Sequence, residues 1–203
     1  MKVSRDVAAA NRERVLQAAA RLFRERGIDG VALTDVMREA GLTHGAFYGQ
    51  FASKEALAAE AARHAMDVSA ARWGRQGPVD LMSYVGAYLS PGHRDRPDRG
   101  CALPALAVEA ARRGGAVRAA IGEGVEGSAA RLAARMAPPA EGRGDAALAT
   151  LATLVGAVVL ARAVEDPALS DRILAAARIA IGEAEARRAS GPANARADAG
   201  DAP

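Results

Sequence analysis

The residues with the most chemistry in their spacing run from Thr43 through His44, Gly45, Ala46, Phe47, Tyr48, Gly49 and Gln50 to Phe51, with Lys54 just beyond. Phe47 and Phe51 are four apart and form one apolar stripe of a short helix. Thr43, His44, Gly45, Ala46, Tyr48 and Gln50 are then left to face outward. A hydroxyl, an imidazole and a carboxamide presented on a narrow helix match the donors and acceptors of base edges in the DNA major groove. Lys54 and the Thr34 and Tyr48 hydroxyls suit phosphates. A different chemistry is spelled by Gly122-Glu-Gly124-Val-Glu-Gly127, a literal GxGxxG with Asp145 further on. That pattern cradles a dinucleotide only where a strand precedes it and a helix opens within it. Here residues 116–121 read as helix and no βαβ alternation exists, so the glycines read as positions of close helix packing or local flexibility. An NAD(P)-binding enzyme remains the alternative. Cys101 follows Arg96 and Arg99 at a helix start, where cations and the helix dipole favour a thiolate and hence redox or electrophile sensing. Burial as an unreactive apolar group is the commoner fate of a lone cysteine. The spacing of His93, Asp95, Asp98 and Cys101 suits no familiar metal site, so no metal and no cofactor is expected.

The elements that must hold these residues follow from composition. The 203 residues are 50% hydrophobic and only 3% aromatic. Alanine, the best helix former, supplies roughly a quarter of the chain, so an all-α fold is expected and an all-β fold is excluded. One cysteine rules out a disulfide framework and a multi-cysteine zinc site. The chain lacks an uninterrupted apolar run of about 18 residues and a signal-like core at its start, so cytoplasmic location without a membrane partner is expected. The formal charge of +3 is too small to announce a polyanion-binding protein, yet it is unevenly placed. Residues 1–54 hold nine cations against six anions, leaving the rest neutral, and four of the seven aromatics lie there too.

Val15, Ala18, Ala19, Leu22 and Phe23 give residues 11–26 an amphipathic helical face, closed by Gly27. Thr34 is the expected cap of a short helix over 35–40, ended by Gly41, whose freedom at positive φ a tight turn needs. A second short helix is expected from Thr43 to about Gln50, and Ser53 opens a long one toward Trp73. The sequence then spells helices from Pro78 through Tyr88, over 103–113, 115–136, 146–164 and 169–188, with loops at 90–100 and 137–144. Residues 190–203 lack a periodic face and read as disordered.

Two short helices around Gly41, with Leu42 plugging their angle, have helix-turn-helix form. The pattern Leu22-Phe23-Arg-Glu-Arg-Gly27, Ala40-Gly41-Leu42-Thr43 and Tyr48-x-x-Phe51-x-Ser53-Lys54-Glu55-x-Leu57 resembles the DNA-binding domain of the TetR family of bacterial transcriptional regulators. Gly41, Tyr48 and Lys54 match that family's glycine, tyrosine and lysine, whereas Gly49 and Gln50 depart from its usual polar residue and histidine. The resemblance implies an N-terminal arm over 1–10, a helix-turn-helix domain over 11–60, a helical effector-binding and dimerisation domain over 61–188 and a tail over 189–203. It further implies a homodimer, chiefly repressing, that binds a palindromic operator and a small effector. Met66, Trp73, Leu81, Tyr84, Tyr88, Cys101, Leu103, Leu106 and Met136 are the bulky groups available to line an effector cavity, though ordinary core packing explains each equally. Leu148, Leu151, Val155, Val158, Arg162, Ile173 and Ala177 are the expected dimer contacts, the alternative being that the helix over 146–164 is the central core helix of a monomer. A helical protein-interaction adaptor is the remaining alternative.

Overall fold

The computed structural model describes residues 5–74, 80–138 and 141–190. Among these the chain forms only helices and turns: α1 (Arg5–Arg26), α2 (Leu33–Glu39), α3 (Lys54–Gly74), α4 (Leu81–Tyr88), α5 (Pro91–Arg94), α6 (Leu103–Arg113), α7 (Gly115–Ala133), α8 (Arg143–Ala163) and α9 (Pro167–Ser190), with 3₁₀ turns at His44–Ala46 and Pro97–Arg99. It divides into two compact units, residues 1–77 with 92–126 and residues 78–91 with 127–203. The expected Pro78 helix start and nearly all of the expected disordered tail lie outside the described residues.

In the first unit α1 begins at Arg5, before the apolar periodicity, because Ala8 to Ala10 extend the helix without a core contact. Its inner face buries Val15, Leu16, Ala19, Leu22 and Phe23. Gly27 ends it at φ +75°, donating its N–H to the Phe23 carbonyl at 2.9 Å. α2 is capped by Ala32 with no side-chain bond, so Thr34 sits inside the first turn and is not the cap. α3 buries Leu57, Ala58, Ala61, Ala62 and Ala65, whose small side chains let neighbouring helices approach. Glu109 of α6 accepts the Ile28 and Asp29 N–H groups at 2.9 and 3.2 Å, and Arg113 pairs with Glu55 at 2.7 Å and with Asp29. The stretch expected as an open loop over 90–100 instead carries α5 and a 3₁₀ turn, pinned where His93 Nε2 accepts the Cys101 N–H at 3.0 Å.

In the second unit Asp80 caps α4, accepting the Ser83 N–H at 3.0 Å. α8 buries Ala147, Thr150, Leu151, Leu154, Ala157, Val158 and Ala161. α8 is long and apolar enough, at mean hydropathy 1.9, to cross a membrane. α9 returns against it, and the Ser170 hydroxyl donates to the Ala161 carbonyl at 2.7 Å. Glu185 accepts the Ala137 N–H at 2.6 Å, and Arg188 donates to the Ala137 carbonyl.

Candidate nucleic-acid interface

The turn before the reading element is fixed by Gly41 at φ +65°. A Cβ there would also lie 2.6 Å from the Arg14 guanidinium. The Leu42 N–H reaches back to the Met37 carbonyl at 2.9 Å, closing the end of α2. The expected second helix of the motif is then much shorter than its spacing suggested. Only His44–Ala46 forms a 3₁₀ turn, followed by further turns to Gln50. Nucleating a helix fixes several residues for one bond, and Gly45 and Gly49 lower the propensity further.

Its orientation nevertheless survives, because the two phenylalanines anchor it. Phe47 and Phe51 are 1% and 4% exposed, with their rings stacked 5.7 Å apart. Arg12 of α1 lies over the Phe51 ring at 4.6 Å and pairs with Glu60 of α3. Ser53 caps α3 by accepting the Ala56 N–H at 3.0 Å. Arg12 was not singled out from the sequence. Its only signal was a place on the polar face of α1, and its partners lie about 40 and 48 positions away.

Thr43, His44, Gly45 and Tyr48 are exposed, as is Thr34 on α2, while Ala46 is half-buried. Tyr48 is 68% exposed and held edge-on to Phe47 at 5.3 Å and to His44 at 5.7 Å. The fold leaves most of that aromatic side chain in solvent. Gln50 is the exception to the expected outward set. Its Nε2 donates to the Ala46 carbonyl at 3.3 Å and its Oε1 is buried, so the carboxamide folds back on the chain. Lys54 is the first residue of α3, is half-buried, and has no carboxylate partner among the described residues. A cation at that end opposes the helix dipole, so its placement favours an external anion.

The other candidates sort differently. Met66, Cys101, Leu103 and Leu106 are buried in the first unit, and Leu81, Tyr88 and Met136 in the second. Tyr84 is half-buried, with Tyr88 at 6.0 Å and the Arg135 guanidinium 5.4 Å from its ring. Trp73 lies within α3, its side chain outside the described set. Most of these large residues therefore fill core space that alanine cannot. A recess of about 150 Å³ in the second unit, between α8 and α9, takes only Met136 from them. Of the expected dimer contacts, Leu151 and Val158 are 5% and 0% exposed within the chain itself, as the core-helix alternative for this segment would have them. Leu148 is 46% exposed, while Val155, Arg162, Ile173 and Ala177 are half-buried. Exposed Leu160, Leu169 and Ile179 lie on the same two helices and were not singled out. The GxGxxG glycines lie inside α7, with no strand before them, so the dinucleotide reading lacks its structural context. A Cβ on Gly124 would meet Met66 Cε of α3 at 2.7 Å, which makes it the close-packing glycine that the sequence suggested. No metal-holding cluster occurs among the described residues.

An all-helical chain that turns at a glycine and presents an exposed short element on two buried aromatics defines a class, the helix-turn-helix regulators that bind duplex DNA. Comparison with known proteins specifies the family. Residues 15–61 match the family described as bacterial regulatory proteins, tetR family. An uncharacterized HTH-type transcriptional regulator of Mycobacterium tuberculosis (strain CDC 1551) is 32% identical over 171 residues, 76% of this chain and 86% of that protein. An HTH-type transcriptional repressor of M. tuberculosis (strain H37Rv) is 35% identical over 81 residues, 40% of this chain and 43% of the repressor. The match to an HTH-type regulator of Bacillus subtilis spans 23% of that relative, so the chain aligns with less than half of these last two proteins. Among solved structures, a TetR-family regulator from Cytophaga hutchinsonii is similar with a TM-score of 0.72 at 23% identity, covering 92% of this chain and all of that one. One from Chloroflexus aurantiacus gives 0.69 at 26% identity, covering 87% and 96%. The chain belongs to the TetR family of DNA-binding transcriptional regulators.

Proposed function

We propose that this regulator is a cytoplasmic, homodimeric repressor that holds a palindromic operator and releases it when a small effector binds the helical domain beyond the reader. One observation carries the DNA contact. Thr43, His44, Gly45 and Tyr48 stand exposed over the buried Phe47–Phe51 anchor, with Lys54 beside them lacking a carboxylate among the described residues. Thr34, Tyr48 and Lys54 hold phosphates in this reading, while Thr43, His44, Gly45 and Ala46 meet base edges. The arm over 1–10, the reader over 11–60 and the effector and dimerisation domain over 61–188 are the working parts.

Repression is supported by relatives named as repressors in M. tuberculosis and Mycolicibacterium smegmatis. An effector is supported by a similar structure, TM-score 0.60 at 27% identity, of a multidrug binding protein complexed with imidazole. Dimerisation is supported by Leu148, Leu160, Leu169 and Ile179, exposed apolar residues on α8 and α9 that a second copy would cover. Two readers in such a dimer meet half-sites one helical turn, or a multiple of it, apart.

The test uses the full chain with duplexes from the DNA flanking its own gene. Expected are a solution mass twice the 20.8 kDa of the chain and specific binding at about 10 nM or tighter. A monomer that binds every duplex equally weakly would overturn the proposal.

A further inference from the structure

Within the second unit, α8 and α9 do not close on each other along their whole length. A recess of about 150 Å³ lies between them, on the side of α9 that carries Glu185 and Arg188. Thr150, Ile181 and Met136, at 9%, 4% and 6% exposed, form its floor. The exposed Ala149, Ala180 and Ala184 form its mouth. About 150 Å³ of apolar space holds a molecule the size of benzene.

The polar groups of the recess set the chemistry of an occupant. The Thr150 and Thr153 hydroxyls donate to the Ala146 and Ala149 carbonyls of their own helix, at 2.8 and 2.9 Å. A hydroxyl has one hydrogen, so each of these oxygens can only accept from a molecule entering the recess. Glu185 and Arg188, each 15% exposed, stand on its wall as an ion pair at 3.3 Å. Ala137 engages both, its N–H donating to Glu185 at 2.6 Å and its carbonyl accepting from Arg188. The pair has no net charge, so a charged occupant would gain little to offset its own desolvation.

We infer that this recess is the effector site, and that it takes a small neutral aromatic molecule of about six to eight non-hydrogen atoms whose O–H or N–H donates to Thr150. This rests on the effector-responsive reading above and names its site and ligand class. Ala149 and Ala180 at the mouth directly follow Leu148 and Ile179, exposed residues of the face that a second copy would cover. An occupant between α8 and α9 changes the spacing of the two helices that carry this face, and so acts on the subunit contact.

The experiment uses the full-length protein with isotope-labelled methionine methyls, the Met136 signal being assigned by Met136→Leu. Phenol, aniline, toluene and benzoate are titrated in turn by NMR. Phenol and aniline should move the Met136 signal, toluene should bind about fivefold more weakly, and benzoate should leave the signal in place. Thr150→Val should weaken phenol about fivefold without weakening toluene. Ala184→Leu fills the space from an exposed position and should abolish both shifts while melting as wild type does, with Ala180→Leu as the second filling variant. A fluorescein-labelled duplex, selected by the protein from a randomised pool, should lose about fivefold or more in affinity when phenol is present, and should not do so with Ala184→Leu. No Met136 shift with phenol or aniline, or a shift that survives both leucine variants, overturns the site. A benzoate response equal to that of phenol, or undiminished phenol binding in Thr150→Val, overturns the ligand class. Unchanged duplex affinity with phenol bound overturns the effector role. Duplex binding by the free protein is read first, so a wild type that selects no duplex counts against the DNA-binding reading and not against the recess.

Discussion

Replacing Lys54 by alanine separates binding from folding in a single variant. Lys54 is the first residue of α3, with Ser53 capping the same helix through the Ala56 N–H at 3.0 Å. No carboxylate pairs with it among the described residues, so its removal breaks no ion pair of the fold. A cation at a helix N-terminus is unfavourable by about 0.3–1 kcal/mol, and alanine is the better helix former. The variant should therefore melt at the wild-type temperature or up to about 3 °C above it. In the proposed dimer each subunit would lose one phosphate contact on DNA, two in all. Each contact contributes about 0.9 to the slope of log affinity against log salt, so the slope should fall by about 1.8. Between about 50 and 200 mM salt, wild type should then lose about twelve times more affinity than the variant does. Anisotropy titrations of the selected duplex at four or five salt concentrations measure this directly. An unchanged slope would refute the phosphate assignment, even if affinity fell. A lowered melting temperature would show that Lys54 supports the fold.

Other perturbations test the parts that hold the reader. Gly41→Ala must take φ +65° and displace the Arg14 guanidinium 2.6 Å from the new Cβ, so a loss of about 1–2 kcal/mol in thermal unfolding is expected. Gly41→Asn should lose less, because asparagine tolerates this region better. Ile179→Glu places a charge on a face 61% exposed in the single chain, so light scattering should show monomer if that face is the subunit contact, with little change in unfolding of the monomer. Glu123 is held below its ordinary value of 4.5, first by the hydrogen bond from Arg63 and then by that residue's charge. A depressed carboxylate stabilises the fold above its unfolded pKa, and this contribution is lost as pH falls through the folded value. Glu123→Gln should accordingly melt slightly below wild type at neutral pH, where the contribution is present, and converge with it as pH falls below about 4.5, so that the acid side of its melting profile is flatter.

Much of the helical pattern was legible because it depends on local signals. The span 103–113 agrees with α6, bounded by glycine at one end and buried Leu103, Leu106 and Ala110 along one face. Gly27 and Gly41 could be read as chain reversals, and Phe47 and Phe51 as anchors, from type and spacing alone. What failed was settled by details that residue type and periodicity do not carry. Thr34 looked like a cap, but Ala32 occupies that place and Asp35 is engaged by Arg38 at 2.5 Å. Gln50 looked outward by periodicity, which presumes a regular helix that two glycines prevent. Leu151 and Val158 carry the same apolar signal whether they face the chain's own core or a second subunit, so periodicity does not separate the two. The candidate cavity residues were obscured for a related reason. In a core built on alanine the few large side chains are needed as filling, and Tyr88 at 1% exposure serves that use.

The short reading element raises a question of precision, since a 3₁₀ turn and a few turns hold position less firmly than two turns of α-helix. Here precision is supplied from beneath. Burying Phe47 and Phe51 contributes about 2–3 kcal/mol each, more than the propensity lost at both glycines. Arg12 adds a second constraint, because one guanidinium lies on the Phe51 ring at 4.6 Å and also pairs with Glu60. It thereby joins the first helix, the reader and the third helix through one side chain. Lysine keeps the charge but lacks the planar face and fork that serve both partners, so it cannot reproduce this arrangement. The outer surface is then largely free of structural duty, with Thr43, His44, Gly45, Tyr48 and Gly49 all exposed. Such a division lets operator preference change by substitution at the surface while the anchors, and hence the aim of the element, stay constant.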